Sequence, residues 1–123
     1  MNVNILVVDD EFINRKLLTV VLKKFDNIGR VLEAENGEEA LTVLENNPDI
    51  NFILLDIVMP KMNGIEFLKE RQKVKSFNEI PVLVLSTDDD NKGVVLEEGA
   101  NSFLLKPFRE DILFSEMRSL IVD

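Results

Sequence analysis

The chain contains no cysteine and no histidine. The first absence removes disulfides, thiolate nucleophiles and cysteine-based zinc sites. The second removes Ser-His triads, the commonest general base and the usual transition-metal ligand. It also means that the chain cannot itself carry a phosphohistidine. Tryptophan and tyrosine are missing too, so phenylalanine supplies every aromatic ring. No stretch approaches the ~20 consecutive apolar residues of a membrane helix. The start, MNVNILVVDDE, lacks the basic opening and sustained apolar core of a secretion signal. A cytoplasmic setting with no membrane partner is therefore expected. Positive charge is scarce: 14 Lys and Arg stand against 23 Asp and Glu, a net charge of −9. No basic patch tracks along the chain, so direct nucleic-acid binding is not expected.

What remains for chemistry is carboxylates, hydroxyls, lysines and backbone. The 123 residues are about one domain's worth, and 46% apolar content is enough for a core. There is no internal repeat, low-complexity segment or linker. Apolar runs alternate instead with segments of helical period. NILVVDD, RVLEAE, NFILLD, PVLVLST and SFLLK read as five strands. Between and after them lie five helical segments. The first, FINRKLLTVVLKKF, places Ile13, Leu17, Val20, Val21 and Phe25 at helical spacing. The second has Ala40, Leu41 and Leu44 on one face, and the third, GIEFLKERQKV, has Ile65, Phe67 and Leu68. A short fourth ends at Gly99, and the last carries a stripe of Ile112, Leu113, Met117, Leu120 and Ile121. Continuous apolar strands argue for a parallel sheet covered on both faces. With right-handed crossovers, the expected fold is α/β: a doubly wound five-stranded parallel sheet of order 2-1-3-4-5, flavodoxin-like, with five helices.

In such a sheet the functional crevice lies at the carboxyl ends of the strands. Those ends carry Asp9 and Asp10, then Asp56, then Ser86 and Thr87, then Lys106. Three converging carboxylates would repel one another, and a hard divalent cation relieves that repulsion. All-oxygen ligands favour Mg²⁺, with Mn²⁺ as a substitute, over zinc. The hydroxyl and the lysine complete a cradle for a tetrahedral anion, with Asp56 placed as a nucleophile. Each residue alone has a plainer role. Asp9 to Glu11 could cap the first helix, Lys106 could be a solvated lysine, and Phe103 could be core. Their joint placement at the strand ends carries the functional reading.

VVDDE, LLDIVMPKMNG, PVLVLST, EGANSF and LLKPF, in that order, resemble the receiver domain of two-component response regulators. The resemblance covers the whole chain, 1–123, as one receiver domain. It implies that Asp56 accepts a phosphoryl group from a partner phosphohistidine. It implies Mg²⁺ on Asp10, Asp56 and the Val58 backbone carbonyl, with Asp9 acting through a metal-bound water. Lys106 would contact the phosphoryl oxygens, Ser86 would be the switch hydroxyl, and Phe103 the aromatic that moves with it. The Lys106–Pro107 bond would be cis, as X-Pro bonds can be. Such a protein is not an enzyme in the ordinary sense, catalysing only its own phosphorylation and dephosphorylation.

The sequence departs from the family pattern in two places. Thr87 stands where a very small residue is usual, which implies slower phosphoryl exchange. Ser86 and Lys106 are 20 positions apart, fewer than is usual, which implies a short or loosely held fourth helix. The acidic run Asp88 to Asp90 reads first as a solvated loop; in the sharper reading Asp88 and Val58 flank the phosphoryl position and would tune the lifetime of the acyl phosphate. The expected partners are a histidine kinase or histidine phosphotransfer protein, docking on the start of helix one (Phe12, Ile13, Arg15) and the loop at Pro107 and Phe108. An output partner of unknown kind would use the face of helix four, strand five and helix five. Asn101 and Ser102 lack the acidic pair of the winged-helix subfamily that dimerises there. Asp123 falls where the last helix would end, compatible with a stand-alone regulator or a piece of a longer one. Three other functions compete. A Mg²⁺-dependent phosphatase with an aspartyl nucleophile would want a carboxylate where Val58 stands. A flavodoxin-like cofactor binder would want a Gly- and Ser-rich loop where DDEFIN stands. An unphosphorylated scaffold would have no need of Asp10, Asp56 and Lys106.

Overall fold

The five apolar runs pair as expected. In a computed structural model describing residues 2–57 and 63–121, β1 (Val3–Val8), β2 (Ile28–Ala34), β3 (Phe52–Asp56), β4 (Val82–Ser86) and β5 (Ser102–Leu105) form one sheet. Its order is β2-β1-β3-β4-β5 and every pairing is parallel. Side chains alternate across the pleat, so each buried strand feeds two cores. Leu6, Val8, Ile53, Leu55, Val82 and Val84 face one, with Ala40, Leu44, Phe67, Leu68 and Val95 packed over them. Ile5, Val7, Phe52, Leu54, Leu83 and Leu85 face the other, covered by Leu22, Phe25, Leu113 and Met117. Helices α2 (Gly37–Asn46), α3 (Gly64–Gln72) and α5 (Lys92–Glu97) thus cover the first face. Helices α1 (Phe12–Leu22) and α6 (Glu110–Leu120) cover the second.

Six helices are found where five are expected. The third helical segment stops at Gln72, and the next residues form a separate single turn, α4 (Lys75–Asn78). Phe77 of that turn packs against the first core, which explains why the chain bends back rather than running on. In α1 and just past its end, the apolar face is the expected one only at Val21 and Phe25. Ile13, Leu17 and Val20 are 60 to 63% exposed, while Leu18, Val21, Leu22 and Phe25 meet the core. This helix is apolar around most of its circumference, and only one arc can lie on the sheet. In α6, Leu113 and Met117 are buried as expected, but Ile112 is exposed.

The turns are fixed by local chemistry. Asn36 and Asn63 cap α2 and α3, accepting the backbone N–H of Glu39 and Glu66 at 2.9 and 3.0 Å. A Cβ on Gly64 would sit 2.5 Å from the Ile57 Cα, so only glycine fits where α3 starts against the end of β3. Helix α5 is short, with six residues, as the spacing implies. Its far end is closed by Gly99 at φ +104°, with Ala100 N–H on the Val95 carbonyl and Gly99 N–H on the Leu96 carbonyl.

That end is not loosely held. Arg71, on α3, is 1% exposed. Its guanidinium donates to the carbonyls of Ile80 (2.7 Å), Asn78 (3.2 Å) and Gly99 (3.5 Å), and to Asn78 Oδ1 (3.4 Å). Gln72 adds a bond to the Glu98 carbonyl. Carbonyls at two helix ends carry the negative end of the helix dipoles, which suits a cation with no carboxylate partner among the described residues. Burial nevertheless lowers the Arg71 pKa from its ordinary value. Replacing Arg71 by leucine strips these carbonyls of their donors. It should cost about 2–4 kcal/mol in urea unfolding followed by circular dichroism. Amide exchange should rise first in residues 78–101.

Candidate functional site

The parallel order places the ends of β1 and β3 side by side, and the carboxylates follow. Val8 pairs with Leu55, so Asp9 and Asp56 each leave the sheet one residue later. Oxygens of Asp9, Asp10 and Asp56 all lie within 4.8 Å of one another. Asp9 is buried, Asp56 half-buried and Asp10 exposed. From the far side Lys106, one residue past β5, donates to Asp56 Oδ2 at 3.3 Å. Both side chains are largely covered, so this ion pair is poorly screened. Three oxygen donors around one point fit a hard divalent cation.

Burial is the main reason that the Asp9 pKa is raised above its ordinary value; Asp56 and Asp10 add to it. The Glu11 N–H, donating to Asp9 Oδ1 at 2.9 Å, and Lys106 pull the other way without reversing it. A carboxylate with a raised pKa costs folding free energy once ionised.

Ser86 is buried at the end of β4, and its hydroxyl accepts the Asp88 N–H at 3.3 Å. The next strand is tied to it, because the Lys106 N–H donates to the Ser86 carbonyl at 2.7 Å. Pleat parity separates two groups. Ser86 continues the Val82–Val84 face, and Phe103, paired with Val84, packs on that same core. Asp56 continues the face of Leu54, towards α1 and α6. Thr87 is exposed, so between the two hydroxyls it is Ser86 that the fold encloses. Asp88 is exposed and its carboxylate accepts the Asp90 N–H at 3.1 Å, turning the loop that leads into α5. The Lys106–Pro107 bond is cis. Val58 lies outside the described residues.

One residue expected on the docking surface is placed elsewhere. Arg15 is turned inward with its side chain only 11% exposed. Its guanidinium donates to Glu33 Oε1 at 3.1 Å and to the Asp9 main-chain carbonyl at 2.7 Å. Lys16 takes the second Glu33 oxygen at 2.7 Å. These bonds lower the Glu33 pKa, the Lys16 bond most. No local pattern announces such a contact, because it depends on how α1 sits over β2.

The Asp9 shift has a measurable sign. The folded chain holds that proton more tightly than the unfolded chain, so stability from this group falls as pH rises past 3.8. Asp9→Asn should therefore raise the melting temperature in EDTA at neutral pH, by about 3–6 °C. The gain should disappear in more acid solution, below the ordinary aspartate value, where Asp9 is protonated in both states.

The family described as response regulator receiver domain matches residues 5–118 of this chain. A chemotaxis protein CheY homolog of Campylobacter jejuni is 31% identical over 119 residues, covering 95% of this chain and 91% of the relative. Among solved structures, the chemotaxis response regulator CheY4 of Vibrio cholerae superposes with a TM-score of 0.88 at 27% identity, covering 98% of this chain and all of that one. The receiver domain of a sensor histidine kinase from Pseudomonas aeruginosa superposes with a TM-score of 0.87 at 22% identity, covering 98% of each chain. That structure holds a magnesium ion coordinated in its active-site cleft. The order of the sheet, the acidic cluster facing a lysine, and a family match spanning nearly every described residue agree: the chain belongs to the response regulator receiver-domain family of two-component signalling.

Proposed function

We propose that this chain is a phosphorylatable switch in which Asp56 takes a phosphoryl group from a phosphohistidine. The observation that carries the reading is the cluster of Asp9, Asp10 and Asp56 oxygens within 4.8 Å, facing the Lys106 ammonium. A carboxylate oxygen of Asp56 attacks phosphorus as the P–N bond to imidazole breaks, and the imidazole leaves with its nitrogen lone pair. The product is an acyl phosphate on Asp56. Lys106 exchanges part of its bond to Asp56 for the phosphoryl oxygens. Asp10 and Asp56 would hold Mg²⁺, with Asp9 behind a water. Such an ion supplies positive charge against the phosphoryl oxygens, the main need of a loose, in-line transfer. No general base is required. Turnover as a phosphatase has less support, since the residue two past Asp56 is Val58 rather than a carboxylate.

The switch then runs through the Ser86 hydroxyl, drawn toward the new anion, and Phe103, which shares its face of the sheet. The output partner would read the exposed Val94, Leu96, Leu105 and Ile112 on α5, β5 and α6.

For the donor, the supporting surface is the outward arc of α1. Phe12, Ile13, Leu17 and Val20 are 59 to 63% exposed there. A groove of about 360 Å³ between α1 and the Pro107–Phe108 loop connects that arc to Asp9 and Lys106. Lys16 on that helix, with Lys23 and Lys24 just past its end, adds positive charge in an otherwise acidic chain. An amphipathic helix with acidic flanks, laid beside α1, would bring its phosphohistidine to the site.

Intact mass after incubation with acetyl phosphate and Mg²⁺ tests the acceptor. One phosphoryl adduct is expected, lost with EDTA and lost in Asp56→Asn; an adduct that survives Asp56→Asn refutes the assignment. For the docking surface, Val20→Glu should slow transfer from a phosphohistidine protein about tenfold, the cost of one lost apolar anchor. Labelling by acetyl phosphate, which needs no docking, should stay at the wild-type rate.

A further inference from the structure

Asp10 is the most exposed of the three carboxylates, and none of its own side-chain hydrogen bonds fixes its direction among the described residues. Its aim therefore depends on the peptide plane that precedes it. That plane carries the Asp9 carbonyl, and the carbonyl is gripped by Arg15 at 2.7 Å. The rest of Asp9 is fixed independently. Its N–H donates to the Ala34 carbonyl of β2 at 3.1 Å, and its Oδ1 accepts the Glu11 N–H. Arg15 itself is braced by Glu33 on β2. A continuous chain thus runs from β2 through Glu33 and Arg15 to the peptide between Asp9 and Asp10.

We propose that Arg15 is a positioning residue for the metal-binding loop: by holding the Asp9–Asp10 peptide plane, it aims the Asp10 carboxylate into the acidic pocket. This rests on the receiver reading above. Three rival roles for Arg15 fit the geometry less well. A staple between α1 and β2 needs only the Glu33 contact, which Lys16 already duplicates. A docking residue would show its guanidinium to solvent, and this side chain is 11% exposed. A source of positive charge for the cluster would act on Asp9, but the cation that does so is Lys106. What Arg15 alone supplies among the described residues is the second donor, on the carbonyl. Mg²⁺ demands near-ideal octahedral geometry, so a small rotation of that plane is felt at the metal. Groups that orient metal ligands from behind commonly change affinity by about 10- to 100-fold.

The test compares Arg15→Met, which keeps the stem and removes every donor, with Arg15→Lys and Glu33→Gln. Mg²⁺ affinity is read by calorimetry, with acetyl phosphate labelling as a function of Mg²⁺ beside it. Exchange of the Glu11 amide is read in the metal-free protein. Arg15→Met should weaken Mg²⁺ binding about tenfold or more and speed Glu11 exchange. Its labelling rate should recover to within about threefold of wild type at saturating Mg²⁺. Arg15→Lys, with one cationic donor, should restore part of the affinity, and Glu33→Gln should lose less than Arg15→Met. Wild-type Mg²⁺ affinity in a folded Arg15→Met would overturn the proposal and leave the receiver reading standing. If Arg15→Met does not fold, equal Mg²⁺ affinity in wild type, Arg15→Lys and Glu33→Gln overturns it in the same way. A wild-type chain that binds no Mg²⁺ and takes no adduct overturns both.

Discussion

Three carboxylates crowded into one crevice set the terms for the rest of this molecule. At separations under 4.8 Å their repulsion in a half-buried site is worth several kcal/mol before screening. Everything around them answers that constraint. Lys106 reaches across from β5, the Glu11 amide turns back onto Asp9, and the pocket is left open on the Asp10 side. A site built this way is held in tension until a cation or a phosphoryl group changes its charge. That is the physical argument behind the proposed switch.

The tension is local because the sheet around it is not compliant. The strands that carry Asp9, Asp56 and Ser86 are central and buried on both faces, with two cores clamping them. The less buried elements lie to one side of these strands. These are the loop after Ser86, the start of α5 and the edge strand β5, whose residues are only partly covered. At the opposite end of α5, Arg71 and Gln72 pin the chain to α3. The helix is therefore anchored at one end and exposed at the other, which follows the loop after the serine.

Much of this was legible in the residues. Continuous apolar runs ending in Asp or Ser revealed the parallel sheet, its order and the side of it that bears the site, because strand ends converge whatever the details of packing. What escaped had a common cause. The rotation of α1 was partly misjudged because Ile13, Leu17 and Val20 match a helical period as well as Leu18 and Leu22 do. Periodicity measures amphipathicity, and it is silent when a helix is apolar on both sides. Arg15 and Arg71 escaped because a charged residue reads as surface by default, and only tertiary contact reveals that its donors are spent on buried carbonyls. The turn at Lys75–Asn78 was missed because one helical turn is too short to show a period.

The meeting of Arg71 with Gly99 also couples what two positions of the chain can tolerate. A Cβ at position 99 would come 3.3 Å from an Arg71 guanidinium nitrogen, and the backbone there sits at φ +104°. Glycine is thus held by two separate conditions, one conformational and one steric, and the arginine imposes the second. Loss of Arg71 would lift the steric condition and leave the conformational one, so a side chain at 99 is better tolerated after that loss than before it. The two substitutions are therefore non-additive, and the backbone at φ +104° still favours glycine after the arginine is gone.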